Sequence, residues 1–234
     1  MKCQQGAKTM NTTKNAIFIF SCIPFVLSAY SSYSAKTVLD TIAAESEMTI
    51  TPSKAQVSEF EAQNKTYCSP FTDDACYNIT PNFIANNSDF MIFKYEASNA
   101  SFLLYDDEVY LIDDHMGGFG ITSMALADLN KDGRYELYYT FSWGSGIHRS
   151  QIGYFDPKRR KFTVFDDAVP FSDIILTMDT DRNLYINSVT PDFYDHVSDV
   201  DFTIKAQEQI GAIVLEHNKI KAKLDSDILE QTIN

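Results

Sequence analysis

From Asp89 onward, short runs of aromatic and β-branched residues alternate with clusters of turn formers. The runs are FMIFKYE (90–96), SFLLYDDEVYLID (101–113), ITSMALADL (121–129), YELYYTFSW (135–143) and IHRSQIGYF (147–155). KFTVF (161–165), DIILTM (173–178), NLYINSV (183–189), VDFTIKA (200–206) and IGAIVLEHNKI (210–220) follow. Turn residues lie between them at Asn130–Gly133, Gly144–Gly146, Asp156–Arg160 and Asp179–Arg182. Asp106-Asp107 breaks the second run, which reads as a hairpin. About ten short strands at this spacing predict a mainly β fold. Two four-strand groups, 121–165 and 173–220, follow a shorter one. The expectation is an antiparallel meander forming a small sandwich, an open barrel or a partial propeller. A complete propeller needs about four to eight such blades.

Residues 35–88 read differently. Ser, Thr, Ala, Glu and Gln dominate 36–66, without Gly. Thr51-Pro52 reads as an N-cap and first-turn Pro, and SKAQVSEFEAQN (53–64) as a short helix with Val57 and Phe60 three apart. The expected organisation is a leader over 1–34, a helical or loose segment with a cysteine loop over 35–88, a β domain over 89–224 and a tail over 225–234.

The leader reading rests on Lys2, Lys8 and Lys14, the apolar run AIFIFSCIPFVLSAY (16–30) and the small residues SSYSA. Basic, then apolar, then small is a secretory signal peptide, with cleavage before Ala35. A membrane anchor is the alternative; the run is short for a span and Pro24 interrupts it. Lipid attachment at Cys22 is another, against which bulky Phe20 stands. The mature chain is therefore expected to be secreted or periplasmic, without a transmembrane span. In an exported chain, Cys68 and Cys76 are expected to form a local disulfide; two buried thiols are the alternative.

Charge narrows the partners. The net charge is -13, and cleavage removes three lysines and no acid, giving -16. That argues against nucleic acid and anionic membranes. Asn64, Asn78, Asn86 and Asn99 each begin an Asn-x-Ser/Thr triplet, a glycan acceptor in a eukaryotic secretory pathway.

The chemistry concentrates in ALADLNKDGRYEL (125–137). Counting from Asp128, the residues Asp128, Asn130 and Asp132 are first, third and fifth, Gly133 sixth, Arg134 seventh and Glu136 ninth. Alternating oxygen-bearing side chains on a tight loop face one centre, Gly133 lets the chain reverse, and Arg134 contributes only its carbonyl. Ca²⁺ takes about six to eight such oxygens. The helix–loop–helix calcium motif needs Glu at the twelfth position, which is Tyr139 here, and the flanks alternate as strands do. A bare hairpin turn without metal is the competing reading.

Phe119-Gly120 followed by ADLNKDGRYEL resembles the FG-GAP, or VCBS-like, repeat family over residues 118–146. The family's closing Gly-Ala-Pro is replaced by YYTFSWGSG, and there is one clear copy. The resemblance implies a propeller-type blade braced by a structural ion, and no reaction.

Other constellations are thinner. Asp179, Asp181 and Asn183 repeat the odd-position spacing, but Leu184 stands in the Gly position and Asn187 in that of the closing acid. HMGGFG (115–120) precedes a strand, so its glycines serve a turn. Trp143, His148 and Arg149 flank a double-Gly turn and form a candidate contact patch for a protein or glycan. The function expected is an exported calcium-binding module with a structural or adhesion-like role. The alternative is a secreted hydrolase using His148 or His196 with nearby carboxylates.

Overall fold

A computed structural model describes residues 54–165, 169–170, 172–192 and 203–225. The expected leader and cleavage site, Cys22, His196 and residues 226–234 lie outside the described residues. The fold is mainly β. Three antiparallel four-stranded meanders follow one another along the chain. The first sheet holds β1 (Cys76–Asn78), β2 (Met91–Tyr95), β3 (Ser101–Tyr105) and β4 (Glu108–Asp113). The second holds β5 (Gly120–Ala127), β6 (Glu136–Trp143), β7 (Arg149–Asp156) and β8 (Lys161–Val164), with β9 (Val169–Pro170) beside β8 on β7. The third holds β10 (Asp173–Met178), β11 (Leu184–Asp192), β12 (Thr203–Glu216) and β13 (Lys219–Leu224). None of the three closes on itself, so there is no closed barrel, and the arrangement agrees with a small sandwich or a partial propeller.

The turns carry the residues their geometry needs. Asp106 and Asp107 have φ of 53° and 61°, the left-handed pair of a type I′ hairpin. His217 and Asn218 repeat this at 51° and 59°. That second turn falls at the polar residues Glu216–Lys219 of the run 210–220, which sequence reading takes as one strand. Conversely, the residues described within 200–206 and the start of 210–220 are not separate strands: β12 spans Thr203–Glu216 without a break, with two register irregularities in its pairing with β11.

One apolar core spans the three sheets, through Ile92 and Leu103, then Leu126, Leu137 and Phe155, then Ile174, Leu176 and Ile213. Every residue of β5 is buried, so both of its faces are covered. β13 instead alternates, with Lys219, Lys221 and Lys223 exposed along an outer strand, where charge discourages pairing with another chain.

The predicted helix forms as α1 (Lys54–Gln63). Its Phe60 is fully buried, stacked on Phe93 at 4.2 Å and beside Phe102 at 5.6 Å. A second short helix, α2 (Asn82–Asn87), lies between β1 and β2. Residues 54–88 thus pack a helix against the first sheet and add β1 to it.

Cys68 and Cys76 are not joined by a disulfide. Cys76 is committed to β1, where it pairs with Tyr95 and packs on the Phe60 cluster, while Cys68 is exposed. Burial pushes the Cys76 thiol up to about 12. The short loop is closed by polar bonds instead: the Ser69 hydroxyl donates to Asp74 at 2.6 Å, and Asp74 accepts the Ala97 and Ser98 amides at 2.7 and 3.3 Å. Of the four Asn-x-Ser/Thr asparagines, Asn64 and Asn99 are buried, Asn78 donates to Gln56 at 2.8 Å, and Asn86 is exposed on α2.

The third sheet docks on the second through hydroxyl groups. β10 is an outer strand of its own sheet, so one backbone edge lacks a strand partner. Thr122 donates to the Ile174 carbonyl at 2.7 Å, and Ser123 accepts the Leu176 amide at 2.7 Å. Side chains of β5 thereby satisfy buried backbone groups that a neighbouring strand would otherwise take.

Candidate functional site

β5 ends at Ala127 and β6 begins at Glu136, so the Asp-rich loop is the connection of a hairpin. The loop is tied by its own side chains. Asp128 accepts the amides of Asp132 and Gly133, each at 2.9 Å. Asn130 accepts the Asp132 amide at 2.8 Å, and Asp132 accepts the Arg134 amide at 3.1 Å. These bonds hold the chain in the reversal that the spacing implies. Gly133 has φ of 85°, and a Cβ there would meet nothing within 4 Å. The glycine is therefore needed for backbone conformation and not for space.

Asp128, Asp132 and Glu136 bring one carboxylate oxygen each to within 4.8 Å of the others. Their exposure is graded: Asp132 faces solvent, Asp128 is half-buried and Glu136 is 1% exposed. Glu136 accepts the Leu129 amide at 3.3 Å and the Tyr138 hydroxyl at 3.1 Å, and the Asn130 side-chain amide also donates to it. Burial, with Asp128 and Asp132 adding to it, pushes the Glu136 carboxyl up to about 7. The nearby cation is Lys158, 3.5 Å from Asp132.

The donor set suits a hard divalent ion: three carboxylates, the Asn130 amide and the Arg134 carbonyl, all oxygen. One rearrangement is required. The Asn130 carbonyl oxygen faces the Asp132 amide and its nitrogen faces Glu136, so an ion between them replaces that Asn–Glu bond.

The second odd-spaced segment, Asp179–Asn183, is a polar turn. Asp179 accepts the amides of Asp181 and Asn183 at 2.9 Å each, the Asn183 side chain at 2.8 Å and the Tyr185 hydroxyl at 2.9 Å. Asn187 is buried in β11 and donates to Thr177 at 2.8 Å. This is a self-satisfied turn.

The predicted contact residues separate. Trp143 and Arg149 pair across β6 and β7, with Trp143 half-buried and Arg149 exposed. The His115 ring lies 5.5 Å from the Trp143 ring, and Asp113 accepts from His115 at 2.6 Å. Met116 and Ile147, from the two loops flanking Trp143, are more than half exposed. The Gly-rich segment runs beside Trp143-Gly144, where a Cβ on Gly117 would meet the Gly144 carbonyl at 2.5 Å. Close backbone approach, not phosphate binding, requires glycine there.

His148 turns inward instead. Its Nδ1 lies 2.9 Å from Asp173, which is 5% exposed and also accepts from the Ser142 hydroxyl. The Phe119 ring meets the His148 ring edge-on at 5.1 Å. Lys94, fully buried, donates to the Phe119 carbonyl at 2.7 Å. Asn99 reaches the Gly117 and Gly118 carbonyls at 3.3 and 3.2 Å, and its own carbonyl oxygen is buried without a hydrogen-bond partner. Polar groups from all three sheets thus gather around Phe119. Sequence reading missed Lys94, Ser142 and Asp173. The one signal was a lysine centred in the apolar run FMIFKYE. The hydroxyl reaches Asp173 and not the imidazole, so the order of a Ser–His–Asp triad is not reproduced.

No protein-family model, no curated protein and no solved structure matches this chain.

Proposed function

We propose that the chain is an exported β module that binds one Ca²⁺ at Asp128–Glu136 as a structural brace and serves an adhesion-like role toward a protein or glycan partner. The observation that carries the reading is the convergence of Asp128, Asp132 and a buried Glu136 on one point. Like charges so close oppose ionisation, and a dication turns that repulsion into attraction. The side chains of Asp128, Asn130, Asp132 and Glu136 and the Arg134 carbonyl are its ligands, with water completing the shell. The ion ties the end of β5 to the start of β6, both buried strands at the centre of the core, so its binding energy becomes folding energy. The loop's likeness to the FG-GAP repeat supports the same role. Export rests on the basic, apolar and small leader. Among the described residues, no helix is long and apolar enough to cross a membrane.

Extracellular sites of this kind bind with Kd of about 10⁻⁴–10⁻³ M, matched to millimolar calcium. At ten times Kd the stabilisation is about 1.4 kcal/mol. Native mass spectrometry of the exported protein, with and without chelator, is the test. A mature chain beginning near Ala35 that carries one Ca²⁺ supports the reading, and no retained ion at millimolar calcium sinks it. Partner contact falls to Trp143 and Arg149 on the open side, with His148 behind them.

A second reading is favoured by the His148–Asp173 pair. A carboxylate on Nδ1 fixes the imidazole tautomer that a general base needs, which fits a secreted hydrolase. Hydrolysis of chromogenic esters, glycosides or peptides that is lost in His148→Ala supports it. Absence of turnover in the wild type removes it.

A further inference from the structure

A groove of ≈790 Å³ opens between α1, α2 and the tip of the β3–β4 hairpin. Its volume is that of a small-molecule site. It shares no residue with the calcium loop or with the Trp143 patch. Seven neutral polar side chains line it against four carboxylates, and no Lys, Arg or His does. Gln56, Glu59 and Gln63 come from α1, Asp89 from the loop after α2, and Tyr105 and Asp106 from the hairpin.

The lining selects a ligand by exclusion and by fit. No Lys, Arg or His lines the groove, so phosphates, sulfates and uronates meet a net acidic lining, which opposes them. An apolar ligand would desolvate amides and acids without replacing their water bonds. Asp106 is already paired with Arg160, which also reaches Glu108 at 3.4 Å, so the hairpin tip is not an uncompensated anion. Amides both donate and accept, and carboxylates accept two bonds each. That is the complement of a ligand dense in hydroxyls. Tyr105 supplies a flat surface: its half-buried ring rests on Phe90 at 5.1 Å and on Phe155 at 5.6 Å. A pyranose has one such apolar face and a rim of hydroxyls. α1 is held rigidly over the first sheet by Phe60, so its polar side chains are presented from a fixed element.

We infer that this groove binds a neutral oligosaccharide, with the Tyr105 ring under one sugar and Gln56, Glu59, Gln63 and Asp89 on its hydroxyls.

The test is calorimetry on the mature protein with four probes: hexasaccharides of cellulose, xylan, amylose and chitin. Saturable binding of at least one is expected, unchanged in about 0.5 M salt because no ion pair is involved. Tyr105→Ala is expected to lose about tenfold in affinity. Tyr105 also packs in the core, so Glu59→Ala, on the exposed face of α1, is the second variant; it is expected to keep the wild-type melting temperature and weaken binding severalfold. Failure of all four probes overturns the inference. So does binding that neither substitution changes, or a response to spermidine alone that salt abolishes, which would make the groove a cation site. Each titration is run in calcium and in chelator with the same result expected, so the outcome is independent of the calcium reading.

Discussion

The two Asp-rich turns, 128–136 and 179–187, begin with the same spacing of oxygen-bearing side chains and end as different objects. In the second, Asp179 takes four hydrogen bonds from neutral donors, which hold its carboxyl below the usual range, led by the bonds from Asn183. In the first, Asp128 and Asp132 are likewise used by backbone amides, but the ninth position brings a third carboxylate. Glu136 is buried there and pushed up to about 7. The corresponding Asn187 is neutral and bonded to Thr177. Alternating Asp and Asn therefore builds a turn, and a buried closing acid brings a third carboxylate to it, on which the proposed calcium site rests.

The largest effect is expected from removing that acid. Glu136→Ala leaves the Tyr138 hydroxyl and the Leu129 amide without their acceptor, which costs about 1–3 kcal/mol at a buried site, and it abolishes the calcium response as well. Asn187→Ala is expected to cost less and to leave the calcium response intact. Equilibrium denaturation in calcium and in chelator compares the two; equal losses would erase the distinction between the turns.

Next in size is the ion itself. Melting in calcium at about ten times Kd is expected to rise by about 1.4 kcal/mol of stability relative to chelator. Asp132→Ala removes that rise. Asp181→Ala and Lys131→Ala keep it, because the first lies in the self-satisfied turn and the second points away from the ion. Magnesium substitutes poorly, since it demands tighter octahedral geometry. Identical wild-type curves in calcium and chelator would leave a bare turn in both places.

A pH series sharpens the contrast. Glu136 has its folded pKa raised above the unfolded carboxylate value of about 4.3, so it favours the folded state at low pH. In chelator, that contribution is lost as pH rises from about 4.5 through about 7. Asp179 has its folded pKa lowered, so its contribution is present above the unfolded value and is lost on acidification. The calcium-induced gain in stability should therefore be smaller at about pH 5.5 than at pH 8, because protons compete for Glu136. A gain independent of pH over that range would show that Glu136 is not a ligand. Glu136→Gln, which cannot ionise, is expected to flatten the chelator profile near neutrality.

The smallest effect is expected at Asp179→Asn. An amide retains some of the acceptor capacity of the carboxylate, so melting should fall slightly, and equally in calcium and in chelator. A calcium-dependent difference would make the second turn a site as well.

The sequence by itself determined what repeats at short range. Strands alternate every second residue, turns need left-handed residues such as Asp106-Asp107, and the loop's oxygen-bearing side chains lie within nine positions, so all three are written in neighbouring letters. The His217-Asn218 turn lies in the polar stretch Glu216–Lys219, which carries no Gly or Pro to mark it; both of its central residues take positive φ. Tertiary structure decided the rest. The Cys76 side chain packs into the Phe60 cluster while Cys68 is exposed, so proximity in sequence did not become a bond. His148 meets Asp173 across 25 positions, and Ser142 meets the same acid across 31. Lys94 reaches Phe119 from another sheet. Those meetings follow from how the three meanders dock, through core packing and the hydroxyl bonds of Thr122 and Ser123 to β10. Docking depends on the summed shape of many side chains, and no periodicity along one strand encodes which distant residue will face it.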